Sequence, residues 1–226
     1  MAQQLDLEEQ EQIDQLKAFW KQYGNLITAV ATLVLLAFAG WNGWNWWQRE
    51  QAAKAAVVFE QVDQALQGGS LDKAQTLFGE MKDRFGRATL TGHAGLLLAR
   101  SQAEKGQIES AAGVLDWVAG HAADKGHRAL AQLRLAGLAM DRADWVQAGK
   151  YLDAVDDPAF KALVNDRRGD LAMGQGQREA AVSAWQKAHA DLAETLEYRR
   201  VVEAKLAAAG AAPAAASAPA DGKEQK

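Results

Sequence analysis

The sequence predicts an all-α protein: one N-terminal transmembrane helix, then an α-solenoid of about four helix pairs, then a C-terminal capping helix. Three observations carry that expectation. Alanine makes up roughly a fifth of the chain, and a residue that suits helices so well argues against an all-β domain. Of the three prolines, Pro213 and Pro219 lie near the C-terminus, leaving one in the interior. Finally, one long apolar stretch stands near the N-terminus, and four later segments repeat a single pattern of small and bulky residues. Charge and composition remove other classes. The 25 basic and 29 acidic residues leave a net charge of −4, which gives no basis for nucleic-acid binding. Cysteine is absent, so disulfides, zinc-thiolate sites, thiol catalysis and an acylated-cysteine anchor are all excluded.

The elements follow in order. Residues 1–23 form a short acidic head, with Asp6, Glu8, Glu9, Glu11 and Asp14 against Lys17 and Lys21. Residues 24–47 are expected to form the transmembrane helix. From Asn25 to Gln48 there is no charge, roughly the twenty residues that a bilayer span needs. Trp41, Trp44, Trp46 and Trp47 crowd one end and Trp20 and Tyr23 mark the other, as indole and phenol do at membrane interfaces. Two other readings of this stretch exist: a buried helix of a soluble domain, and a signal peptide cleaved near Ala37-Phe38-Ala39. The long acidic head does not suit a signal peptide, which is short and basic. Orientation stays open on charge, because Lys17 and Lys21 on one side balance Arg49 and Lys54 on the other.

Residues 48–206 carry the repeats. Gly69-Ser-Leu-Asp-Lys-Ala74 is followed by Phe78, Gly106-Gln-Ile-Glu-Ser-Ala111 by Leu115, Ala143-Asp-Trp-Val-Gln-Ala148 by Leu152, and Gly176-Gln-Arg-Glu-Ala-Ala181 by Trp185. The aligned alanines stand 37, 37 and 33 residues apart, close to the 34-residue tetratricopeptide period. The glycines supply a turn between two helices. Five residues on, the alanine lets antiparallel helices approach, and one turn later a large apolar side chain fills the groove beside it. Small residues recur twelve positions earlier at Ala99, Ala136 and Gly169, with Val62 as the exception. Asp157 is expected to cap a helix that starts at Pro158. The capping helix is expected over about Leu192–Ala209, and residues 207–226, all small or polar, are expected to be a disordered tail.

An acidic head, a tryptophan-rich span, a short tetratricopeptide array and the run Ala162-Leu-Val-Asn-Asp-Arg-Arg-Gly-Asp-Leu171 together resemble the YfgM family, the ancillary subunits of the SecYEG translocon in Gram-negative bacteria. The resemblance implies an inner-membrane protein with a cytoplasmic N-terminus and periplasmic repeats. It also implies association with SecYEG and the periplasmic chaperone PpiD, and a part in handling newly exported polypeptides.

Chemistry is not legible. His93, His121, His127 and His189 form no spaced metal pair, and His121 and His127 read as exposed loop residues. Gly174-Gln-Gly176 lacks the third glycine and the strand of a dinucleotide loop. The serines stand in no nucleophile elbow. No cofactor, metal, small-molecule substrate or catalytic residue is expected. What such an array offers is a binding surface along its first helices. Register positions two, five, nine and twelve give sixteen inner-facing positions over the four repeats, Leu130 and Leu163 among them, and of these Phe59, Leu96, Arg100, Leu133, Met140, Asp166 and Met173 are the partner-binding candidates. Their apolar majority suggests a groove for a partner's segment rather than a clamp for a terminal carboxylate. The expected role is a non-catalytic scaffold; the alternative to a translocon subunit is a scaffold for a pilus, secretion or division complex.

Overall fold

The computed structural model describes residues 7–193 and 195–211; the expected tail from residue 212 onward lies outside these. The chain divides into two compact units, Met1–Gln51 and Ala52–Lys226. Among the described residues there is no strand, and the fold is all-α. Helix α1 covers Leu7–Gln67 and contributes to both units, so neither end of the expected 24–47 span coincides with a helix end.

In the first unit, α1 is long and apolar enough to cross a membrane. Its most apolar window has a mean hydropathy of 1.8, and only 6% of that window is buried. That exposure removes the reading as the core helix of a soluble domain. Leu33, Leu36, Phe38 and the tryptophans Trp41, Trp44, Trp46 and Trp47 all face outward. A helix apolar on every side has no polar face to offer water, which fits a lipid solvent.

The second unit is a stack of antiparallel helices: the end of α1, then α2 (Leu71–Phe85), α3 (Thr89–Glu104), α4 (Ile108–His121), α5 (Lys125–Asp141), α6 (Trp145–Asp153), α7 (Lys161–Gly174), α8 (Arg178–Asp191) and α9 (Tyr198–Ala208). From α2 onward each packs on the next, and α3, α5 and α7 also touch in sequence. The aligned alanines Ala74, Ala111, Ala148 and Ala181 are fully buried, and Phe78, Leu115, Leu152 and Trp185 fill the space beside them. Close approach is strictest at Gly169, where a Cβ would run into the Trp185 indole.

Every intra-pair turn has one geometry. Gly69, Gly106 and Gly176 take φ of 71°, 77° and 74°, and Ala143 takes the same left-handed backbone at φ 58°. In each, the next amide reaches back to close the preceding helix, as in Ser70 N to Ala65 O (2.8 Å) and Asp144 N to Ala139 O (2.9 Å). The same turn recurs at Gly210, with φ 64° and Ala211 N donating to Leu206 O at 2.9 Å. The terminal helix thus ends as the first helix of each pair does.

Three expectations need correction. The last helix starts at Tyr198, not near Leu192: Leu192 terminates α8 and a turn intervenes, so Leu196 is exposed. The ordered chain continues past 207, because Ala209 is buried and its carbonyl accepts from Arg178 Nε at 3.0 Å. His121 and His127 do not lie in a loop. His121 ends α4, stacked on Trp117 at 5.4 Å, and His127 occupies the first turn of α5, where its amide donates to the Asp124 cap at 2.8 Å. Burial pulls the His127 imidazole below its ordinary pKa, against the opposing charge of Asp124. Asp157 caps as expected, but its side chain accepts from Ala159 N in a 3₁₀ turn, Pro158–Phe160, that leads into α7.

Candidate functional site

The first helices of successive pairs run side by side, and α3, α5 and α7 line a trough of about 660 Å³ to which Tyr198 of α9 also contributes. Its apolar wall is Leu130 and Leu133 from α5 and Leu163 from α7. Its polar wall holds three guanidinium groups, Arg100, Arg134 and Arg167, one from each helix. Glu104 and Asp141 lie at the C-terminal ends of α3 and α5.

The three arginines differ in their partners. Arg100 is exposed and pairs with Glu104 at 2.8 Å, one turn along the same helix. Arg167 pairs with Asp170 at 3.1 Å. Arg134 is half-buried and donates to the Leu96 carbonyl at 2.8 Å. It has no ion pair among the described residues; burial first, and then the positive charge of Arg100, lower its pKa.

The candidates fall in different places. Arg100 and Leu133 share the trough. Leu133 is only 6% exposed and Leu96 only 4%, so both belong to the core rather than to an open surface. A charge placed at either would test folding before binding. The register explains this: position five faces the neighbouring pair as much as the trough. Phe59 is half-buried on α1, its ring 5.4 Å from His93, which in turn is 5.7 Å from His127. Met140 and Met173 are at least partly accessible but do not line the trough.

Asp166 is the largest departure. It is fully buried, accepting from Lys205 Nζ at 2.8 and 2.9 Å and from the Tyr198 hydroxyl at 2.7 Å. Lys205 also meets Asp170 at 2.7 Å, and Trp185 Nε1 donates to Asp170 at 3.2 Å. This carboxylate pins α9 to α7 and is not presented to a partner. The sequence reading missed Arg134, Arg167 and Tyr198. The two arginines stand 33 residues apart at register position six, a recurrence that was readable. Tyr198 carried no signal, since its place depends on where α9 begins.

A helix long and apolar enough to cross a membrane, four helix pairs closed by left-handed turns and a trough along the first helices define a class of helical-repeat protein. The chain belongs to the tetratricopeptide repeat-like domain family, which matches residues 17–211. Two curated relatives are similar to it, both named ancillary SecYEG translocon subunit. One, from Escherichia coli strain K12, is 28% identical over 181 residues, covering 79% of this chain and 85% of the relative. The other, from Neisseria gonorrhoeae strain ATCC 700825 / FA 1090, is 24% identical over 201 residues, covering 88% and 96%. Among solved structures, two crystal structures described as Podosopora anserina kinesin light chain with nearly identical TPR-like repeats align with TM-scores of 0.49 and 0.48. They are 19% and 18% identical, cover 70% of this chain, and are themselves covered to 85% and 86%.

Proposed function

We propose that this protein is a non-catalytic ancillary subunit of the SecYEG translocon. In this reading residues 1–23 form a cytoplasmic head, α1 spans the inner membrane, and the repeats stand in the periplasm. The trough along α3, α5 and α7 holds segments of partner or exported polypeptides, and PpiD is a partner through the family resemblance. The observation that supports the reading best is the extent of the similarity. It runs over 85% and 96% of two relatives that carry the translocon name, and the family match over residues 17–211 takes in the apolar stretch as well as the repeats.

The mechanism needs no chemistry. An array of rigid helix pairs holds a wall of leucines and arginines in register, so a partner segment meets a surface that is already ordered. A membrane anchor confines that surface near the translocon, which raises the effective concentration of the encounter. Affinity capture of the full chain in mild detergent tests this. SecYEG subunits and PpiD are expected in the eluate. Recovery of pilus, secretion or division components without SecYEG would replace this reading with the other scaffold class.

A further inference from the structure

The trough is lined by three arginines and two carboxylates, Glu104 and Asp141, and no ion pair among the described residues joins Arg134 to either. Arg100 spends its charge on an exposed neighbour, Glu104, and such pairs exchange readily with water or a competing carboxylate. Arg134, one helix over, has five N–H donors and a single carbonyl acceptor, Leu96 O. It is half-buried, without an ion pair among the described residues, and lines the same trough as Arg100. A guanidinium so placed lacks a carboxylate, which could accept two parallel N–H bonds from it. Beside it the wall is apolar: Leu130 and Leu163 would stay bare against a small anion or a phosphate backbone.

We propose that the trough recognises a polypeptide segment carrying an aspartate or glutamate side chain beside leucine-like side chains. The carboxylate sits on Arg100 and Arg134, and the apolar side chains lie on Leu130 and Leu163. The source is a side chain, not a free C-terminus. The lining runs from Ala99 and Ala103 of α3 across α5 to Leu163 of α7, so the trough takes a length of chain rather than a single terminal group. This inference rests on the trough being the binding surface, as read in the preceding subsection.

The test uses the full chain in lipid nanodiscs and a pair of short, end-blocked fluorescent peptides of leucine, alanine and glutamate, or of the same sequence with glutamine. Fluorescence anisotropy at low salt is expected to show the glutamate peptide binding about tenfold more tightly, equivalent to about 1.4 kcal/mol. Arg134→Gln and Arg100→Gln should each erase that preference, and Arg200→Gln on α9 should keep it. Arg100 is exposed, so its variant remains informative if Arg134→Gln disturbs the fold. If both peptides bind equally and Leu130→Ser weakens both, the trough stands as a binding surface and the carboxylate rule is wrong. If neither peptide binds, or Leu130→Ser changes nothing, the trough reading fails with it. A preference for a peptide with an unblocked C-terminus would also overturn the proposal, by assigning the arginines to a chain end.

Discussion

The two halves of the repeat array use the same spacing and different adhesives. From the end of α1 through α4 the core is hydrocarbon: Val62, Phe78, Met81, Leu98 and Val118 are all fully buried. The buried polar groups there are uncharged: Thr91 Oγ1 donates to Phe85 O at 2.7 Å, and Gln102 Nε2 of α3 donates to Gln75 Oε1 of α2 at 2.9 Å. From α7 to α9 the small-then-bulky pattern persists in Ala181 and Trp185, and Val202 and Leu206 of the last helix are fully buried beside them, but ionic networks are added to this apolar contact. Asp166, Lys205, Asp170 and Tyr198 form one network. His189, buried, forms another with Glu203 at 2.9 Å and Arg199 at 2.9 Å. Apolar contact is tolerant of sliding, whereas charge-assisted hydrogen bonds have one geometry. The difference teaches that the repeat spacing sets where helices meet, while other positions set how firmly each meeting is specified.

The contrast can be broken most directly by Lys205→Met. It strands Asp166 without its cation, and removing one partner of a buried pair costs about 3–5 kcal/mol. Phe78→Ala in the other half should cost a similar amount, about 3–5 kcal/mol, through lost burial and a cavity. Regional hydrogen exchange separates them. Lys205→Met should speed exchange across α7–α9 and spare α2–α4, and Phe78→Ala should do the reverse. Uniform acceleration by both would mean that the array unfolds as one unit and the two adhesives are not independent.

A smaller effect sharpens the comparison by pH. Burial, with the hydrogen bond and charge of Asp166, holds the Tyr198 phenol well above its ordinary pKa. A group whose pKa is raised in the folded state contributes stability below its unfolded value, about 10, and loses it as pH climbs through the folded one. The α7–α9 half should therefore weaken above about pH 10. Tyr198→Phe should cost about 1.5 kcal/mol at neutral pH, the loss of a hydrogen bond to a charged group, and should reduce the alkaline weakening. Melting of the two proteins across the alkaline range checks this; parallel curves would remove Tyr198 from the network's energetics.

The smallest change lies at the turn where the halves join. Ala143 adopts a left-handed backbone that costs an L-residue about 1–2 kcal/mol, and the equivalent turns use glycine. Ala143→Gly should stabilise the array by about 0.5–1 kcal/mol, the strain relieved less the entropy that glycine gains in the unfolded chain. The melting temperature should rise slightly, with no change in regional exchange order. A fall would mean that the Ala143 methyl contributes more by packing than its backbone costs.

Local covalent character explains what was legible. A charge-free stretch, an alanine five residues after a glycine, and a proline after an aspartate each act within a turn or two of helix. The long apolar helix, the four pairs and the Asp157 cap could therefore be read before any contact was seen. Ala143 aligned with the turn glycines in the same way, and its positive φ is the backbone consequence of that register. The site was less legible, because each trough side chain acquires its neighbours from a helix about 33 residues away. Leu96 and Leu133 had the right register and proved to be core, since the angle between successive pairs decides which flank of a helix is covered. Asp166 looked like a surface acid until α9 brought Lys205 and Tyr198 against it. Burial of a charge depends on the arrival of its counter-charge, so no window of sequence around Asp166 contains the reason for its place. Arg134 is the opposite case. Its position recurs in the sequence, but only packing decides that the Leu96 carbonyl is near, that Arg100 shares its trough and that no carboxylate among the described residues is paired with it.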